Sequence, residues 1–410
     1  MAISIGTGSQ ILIQVVSVPI FLHFWNLEKY AIWLIALNLS QFTGILDLGM
    51  ITANQNRFPK LALEGKLEEI DVQRNNTLII FILNNLIFGF LYFTFGGFLG
   101  KPVPAFLFIL FTLSSGIQTL FGMIESNLRI VGRVSLGINL SNVSRIIEFL
   151  STLIAILIFK DQLNMVAFVI LLTKSFFFVF CLVKLHTRLG SKRGRLLKLL
   201  YFKKSFREGY PFLLMKLSDT LALSGVVILV QRFLSPAELV MLLTSRTFFR
   251  LGLQISNLFN FTFYFELART WSESDEGLFK VWKRRNLYVT LVCTFLTTIV
   301  FWTLGRDLYK IWTHDELFLT TKVLIAGALY SAVMMLSQGQ KISFHASNNN
   351  KEVSHIQFVL TLLVLFSINN FAILQRAEGV FYLLSIAELI SLISVVSFGT
   401  RWTERHFKID

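Results

Sequence analysis

The sequence predicts an all-α integral membrane protein of about twelve transmembrane helices in two six-helix lobes, with N- and C-termini cytoplasmic. Three observations predict it. Of 410 residues, 54% are hydrophobic and only 15% charged, where a soluble chain carries about 25% charged residues. The chain holds 42 Phe but only 24 Gly and 6 Pro, so its apolar residues form long segments rather than a loop-rich globule. The formal net charge of +14 is gathered between those segments. In a soluble chain such basicity points to nucleic acid; around apolar spans it is the positive-inside signature, and no nucleic-acid partner is expected.

A helix needs about 20 apolar residues to cross the hydrocarbon core. Such runs fall at 4–24, 31–53, 76–99, 104–124, 141–159 and 164–185, then at 210–232, 244–266, 286–304, 320–338, 355–374 and 379–400. The first, built on Ile11 to Phe24, lacks a basic leader and a small-residue cleavage site, so it reads as a retained helix rather than a signal peptide. Its abrupt start suggests that a short basic leader is missing. Pro19 lies in its outer half.

The second run carries Ser40, Asp47 and Asn54 at steps of seven, on one face. Asp47 reads as a counter-ion for an arginine, a proton-coupling carboxylate or a cap at the cytoplasmic end. The third and fourth runs are read on apolar length alone. The fifth has Ser141, Arg145, Glu148 and Thr152 on one stripe, and the seventh has Lys216 and Asp219 at i, i+3. Each of these opposite-charge pairs can neutralise itself within its helix. Lys174 in the sixth has no acid nearby in sequence and is a further candidate for an anionic ligand.

The eighth run is the most informative. Arg246, Arg250, Gln254 and Asn257 stand at steps of four, four and three, on one face. An ionisable group at the bilayer centre costs about 2.5–3.5 kcal/mol on insertion scales, so such groups face a partner or a wet cavity. No acid follows the two arginines at helical spacing until Glu266, so the anion comes from another helix or from a substrate. Arginine suits phosphate, because its planar fork binds two oxygens at once. In the twelfth run, Glu388 flanked by Ser385 and Ser391 is a candidate ion site.

The polar gap at 187–209 divides the chain into a first lobe at 1–186 and a second at 210–400, followed by a tail at 401–410. Its basic run, Lys192 to Arg195 and Lys203 to Arg207, reads as a topology anchor beside anionic lipid or as a segment that binds lipid or a partner. Pro211 opens the seventh run as Pro19 interrupts the first, and both are candidate hinges. With the N-terminus inside, about 24 Lys and Arg face the cytoplasm, including Lys280, Lys283, Arg284, Arg285 and Lys341, against about eight outside. All seven Trp fall near expected helix ends, as an interfacial belt would place them.

Catalytic and cofactor signals are lacking. Cys181 and Cys293 lie inside apolar runs and read as small core residues, with no zinc spacing. The six His are scattered, no metal set is expected, and no phosphate-binding glycine loop precedes a Lys.

Several stretches resemble the polysaccharide transporter family, the lipid-linked oligosaccharide flippases for O-antigen and capsule, in the same superfamily (MOP) as the MATE exporters. They are Tyr30-Ala31-Ile32-Trp33-Leu34 leading to Leu46-Asp47-Leu48-Gly49; Phe233-Leu234-Ser235-Pro236 before Ser245-Arg246-Thr247 and Arg250-Leu251-Gly252-Leu253-Gln254; Tyr264-Phe265-Glu266-Leu267-Ala268-Arg269; and Ile311-Trp312-Thr313. Ala31 and Phe265 depart from the family's usual Gly and Pro. The resemblance implies a bacterial inner-membrane flippase that moves a polyprenyl-pyrophosphate-linked oligosaccharide by alternating access, with no cofactor. It implies Arg246, Arg250, Gln254, Asn257, Lys174 and Arg145 as substrate-binding residues in a cationic cavity. Asp47, Glu148, Asp219 and Glu388 would serve as counter-ions or ion-coupling groups. Membrane lipids, a polysaccharide polymerase and a chain-length regulator are the implied partners. The alternatives are a MATE-like exporter of small cationic molecules, whose cavity should be rich in unpaired carboxylates, and a membrane glycan polymerase or ligase, which needs a large outer loop.

Overall fold

The computed structural model describes residues 2–96, 103–185, 199–347, 351–371 and 376–407. Among the described residues the chain is helical and without strands. Ten helices are long and apolar enough to cross a membrane, or eleven if one bent pair counts as a span. This is a multi-pass membrane protein. Of the basic linker expected at 187–209, residues 187–198 lie outside the described residues, and 199–209 belong to a helix rather than a linker.

By packing, the chain forms two compact units, Met1–Ile13 with His23–Arg232, and Gln14–Leu22 with Phe233–Asp410. The division falls at Arg232/Phe233, one helix later than the linker at 187–209 suggests. The helix of the seventh run packs in the first unit, where its entry meets the second run closely: the Gly209 carbonyl lies where a side chain on Gly49 would begin.

In the first unit the helices are α1 (Ala2–Phe24, shared with the second), α2 (Leu27–Ser40), α3 (Met50–Leu63), α4 (Leu67–Phe95), α5 (Ala105–Ile130), α6 (Val134–Phe159), α7 (Leu163–Lys184), α8 (Leu199–Thr220) and α9 (Val226–Val230). Pro19 and Pro211 lie inside α1 and α8. A π-type turn, Leu221–Gly225, joins α8 to α9. Such a turn leaves the regular hydrogen-bond ladder for one turn, within a run expected to be regular.

The second run departs most from expectation. Its helix extends from Leu27 to Leu63 but is broken, with a 40° bend between Leu27–Ile45 and Met50–Leu63. The motif Leu46-Asp47-Leu48-Gly49 makes the break. Leu48 (φ 53°) and Gly49 (φ 73°) are both left-handed. The Asp47 carboxylate accepts from the backbone N–H of Gly49 (3.3 Å) and Ile51 (3.0 Å), capping α3 in the interior. Asn84 Nδ2 donates to the Leu46 carbonyl at 2.8 Å, satisfying one group that the break frees.

A Cβ at Gly49 would sit 2.4 Å from the Gly209 carbonyl oxygen and 2.7 Å from the Leu213 nitrogen. Gly49→Ala is therefore expected to lower stability by at least about 2 kcal/mol, from left-handed strain plus the displaced α8 backbone. Thermal unfolding in detergent checks this; an unchanged melting temperature would contradict the tight α3–α8 contact.

Trp25 and Trp33 do not join an interfacial belt. Both are buried, with ring centroids 4.8 Å apart, and Trp33 meets Phe111 edge-on at 4.6 Å. Trp25 Nε1 donates to the Lys160 carbonyl at 2.8 Å. Cys181 packs with Phe121, Ile124, Leu128 and Phe178, as a small core residue.

In the second unit, Gln14–Leu22 packs with α10 (Pro236–Ser272), α11 (Glu276–Thr303), α12 (Gly305–Trp312), α13 (Thr321–Ala346), α14 (Lys351–Asn370) and α15 (Ala377–Phe407). At 37 residues α10 is long enough to span, but its polar stripe keeps it outside the apolar set. Its start is fixed by a capping box. The Ser235 N–H and hydroxyl donate to Glu238 at 2.9 and 2.8 Å, and the Glu238 N–H donates back at 3.3 Å. Those bonds, ahead of the span expected at 244–266, hold the Glu238 carboxyl below its ordinary value.

Candidate functional site

The first unit contains a cavity of about 390 Å³ lined by residues from α3, α5, α6 and α8, among them Gln55, Gln118, Ser141, Arg145, Lys216 and Asp219. Helical spacing explains the α6 contribution, because Ser141 and Arg145 are i, i+4 neighbours on one face. Gln118 Nε2 donates to Ser141 Oγ at 3.0 Å, and Ser144 Oγ donates to Gln118 Oε1 at 3.4 Å. Gln55 Nε2 donates to the Gly122 carbonyl at 3.3 Å. The lining thus offers amides and hydroxyls beside charges of both signs.

The charge pairing differs from the pairing expected within single helices. Glu148 does not serve Arg145. Its carboxylate lies 2.8 Å from Lys174 Nζ, which is 3% exposed and also donates to Ser114 Oγ at 3.3 Å. Lys174 is therefore engaged by an acid on the neighbouring helix and is no open anion site. Lys216 reaches across to Asp47, at 3.4 and 3.5 Å from the two carboxylate oxygens, and Asp47 is fully buried. Asp47 is thus a cap and a counter-ion, but for a lysine rather than an arginine. Its oxygens are engaged by two amides and an ammonium. Asp219 lines the cavity.

Arg145 is left over. It is exposed into the cavity, and among the described residues no carboxylate lies within 4 Å of it.

In the second unit, α10 presents Arg246, Arg250, Gln254 and Asn257 in the expected order. Arg246 is buried. Arg250 Nε is buried without a hydrogen-bond partner, and among the described residues no acid pairs with Arg250. Gln254 Nε2 donates to Gln14 Oε1 at 2.6 Å, while its own Oε1 is buried and unpartnered. Asn257 Oδ1 accepts from Asn260 Nδ2 at 3.3 Å, and Asn260 Oδ1 accepts from Thr290 at 3.4 Å. The stripe is a line of polar groups in which Arg250 and Gln254 keep unused hydrogen-bonding capacity.

Glu388 is also a counter-ion. Its carboxylate lies 3.2 Å from Lys341 Nζ, and Lys341 is 1% exposed inside α13. Lys341, expected among the cytoplasmic loop charges, lies inside the helix, because the apolar run ends at 338 while the helix continues to Ala346. Ser385 donates to its own helix, to the Phe381 carbonyl, and Ser391 is buried. The nearest signal in the sequence was a lysine in the register of the preceding apolar face.

One pattern unites the two units. Three lysines set inside helices each find a carboxylate from another segment: Lys174 with Glu148, Lys216 with Asp47, and Lys341 with Glu388. Among the described residues Arg145 and Arg250 have no carboxylate within 4 Å. Among the described residues no group of three or more His, Cys, Asp or Glu could hold a metal ion.

Among solved structures the chain is similar to a multidrug resistance MATE family transporter of the MOP superfamily in an inward-facing conformation. The TM-score is 0.74 at 13% identity, over 97% of this chain and 99% of that one. It is similar to an outward-facing structure of such a transporter, with TM-score 0.66, 13% identity and coverage of 100% and 95%. A third is a MOP superfamily transporter from Pyrococcus furiosus, described by a reverse polarity of its binding pocket that suggests a different function (TM-score 0.64, 13% identity, coverage 99% and 95%). No family model and no curated protein matches the sequence.

Proposed function

We propose that this chain, whose fold is that of the MATE transporters, translocates a polyprenyl-pyrophosphate-linked oligosaccharide across the bacterial cytoplasmic membrane by alternating access. Twelve spans and cytoplasmic termini belong to this reading. So does a role for Arg246, Arg250, Gln254, Asn257 and Arg145 in holding the substrate. The carrying observation is a contrast among cations set inside helices: Lys174, Lys216 and Lys341 are each paired with a carboxylate, while Arg250 keeps a buried, unpartnered guanidinium nitrogen.

An unpaired guanidinium in a low-dielectric interior is costly unless an anion meets it. Pyrophosphate offers paired oxygens matched to its fork. The same interaction offsets the cost of moving that anion through the membrane interior. Gln254 and Asn257, and the amides and hydroxyls beside Arg145, suit a hydroxyl-rich head. A MATE-like exporter of small cations fits less well, because Asp47, Glu148 and Glu388 are already occupied by lysines. The Pyrococcus furiosus neighbour, described by a reverse polarity of its binding pocket, supports the idea that this fold is not tied to one function.

The test is complementation. In a strain lacking its own flippase, with a matched glycan, expression of this chain is expected to restore surface polysaccharide. Surface glycan no different from the deficient strain, with the protein present in the membrane, would overturn the reading. Restored resistance to cationic dyes in an efflux-deficient strain would favour the exporter instead.

A further inference from the structure

At the end of the second unit where α10 finishes and α11 begins, four basic residues fall within six positions: Lys280, Lys283, Arg284 and Arg285. They are not loop charges. Asp275 caps α11 by accepting from the Leu278 N–H at 2.8 Å, so all four belong to the first turns of a 28-residue helix. Among the described residues only Lys280 has an acid partner, Glu276.

The two arginines are laid against aromatic rings. Arg285 lies 4.8 Å from the Trp282 ring centroid. Arg284 lies 5.5 Å from the Tyr288 ring and donates to its hydroxyl at 3.2 Å. Stacking fixes a guanidinium plane while leaving most of its N–H donors free. Both arginines are exposed. Beside them, Trp282 Nε1 is buried and has no acceptor.

The face they occupy continues as apolar surface. Phe279, Asn286, Thr290 and Thr294 are the buried side of α11. The opposite side exposes Val281, Tyr288, Leu291, Val292, Phe295 and Ile299. At 1.5 Å per residue, that ribbon runs about 21 Å from Arg285 to Ile299, close to the length of one leaflet plus its interface. Two ring-stacked guanidinium groups therefore cap an exposed apolar track.

We propose that this corner of α11 is a binding site for an anionic phospholipid of the surrounding bilayer. The phosphate lies against Arg284 and Arg285, and the acyl chains follow Leu291 to Ile299. Charge complementarity selects the occupant: the surplus cations attract an anionic headgroup, and the apolar track below them requires a tail. The site is separate from the arginine stripe of α10, and it stands whatever that stripe carries.

The full chain, purified in detergent and stripped of lipid, can be titrated with phosphatidylglycerol under native mass spectrometry. Arg284→Gln with Arg285→Gln is expected to weaken the first phosphatidylglycerol bound at least about tenfold, the loss expected of charge-assisted bonds. The matched double variant Arg306→Gln with Lys322→Gln, which removes the same charge elsewhere, is expected to bind as wild type does. Melting temperatures of both variants should match wild type, because the altered side chains are exposed. Equal phosphatidylglycerol binding by the α11 variant would overturn the proposal. So would phosphatidylcholine binding as tightly as phosphatidylglycerol to wild type, or inorganic pyrophosphate displacing the lipid, which would mark a site for free phosphate.

Discussion

Arg250→Ala is expected to reduce glycan export at least about 30-fold while leaving the protein as stable as wild type, or slightly more so. The two halves of that outcome have one cause. In the resting protein the Arg250 Nε is buried without a partner, so its removal relieves a desolvation cost rather than breaking a bond. With an anionic substrate present, the same group supplies charge-assisted bonds worth about 2 kcal/mol or more, which converts to the stated loss of rate. Arg250→Lys should recover only part of the activity, because a point charge lacks the two-pronged geometry. Export assays in the complemented strain, paired with thermal unfolding of the purified variants, read both halves. A variant that loses export only in proportion to its loss of folded protein would refute the assignment.

Lys341→Met should behave in the opposite way. It strands Glu388, whose carboxylate lies 3.2 Å from the ammonium in a site where Lys341 is 1% exposed. Breaking such a pair from one side costs about 3–5 kcal/mol, enough to lower the yield of folded protein sharply. The double variant Lys341→Met with Glu388→Met removes both charges and should recover most of that loss, since apolar replacement of a buried pair is often neutral. A double variant as unstable as the single one would mean that Glu388 answers to something other than Lys341. The expected contrast is that Lys341 holds the fold, while Arg250, on the proposed function, meets the substrate.

Much of the fold was legible because apolar length is a local property. Every expected run overlaps a helix, and α10's polar stripe is on the face that spacing predicted. The break at Asp47-Leu48-Gly49 was hidden, since the apolar run passes through it and only backbone conformation reveals the left-handed pair. Trp25 and Trp33 misled for a related reason: their positions near helix ends suggested an interface, yet Phe111 from another helix covers Trp33. The candidate site was legible one helix at a time. Spacing showed that Arg145 and Glu148 share a face, but not that Lys174 on α7 would take the glutamate away. Lys341 was missed because a hydropathy run ends at the first polar residues, whereas a helix ends where its hydrogen bonds do.

The first helix carries a consequence for synthesis. Its segment Gln14–Leu22 belongs to the second compact unit. Gln14 bonds to Gln254 across 240 positions, and the Val15 carbonyl accepts from Trp312 Nε1 across 297. At translation rates of about 5–20 residues per second, those partners emerge roughly 12–60 s after the segment does. For that interval the nascent helix sits in the bilayer with its Gln14 amide and its proline-freed backbone unanswered, dependent on lipid, water or the insertion machinery. These contacts of the second unit wait for partners made hundreds of positions after the segment, so their closing is set by the ribosome's pace rather than by local helix formation.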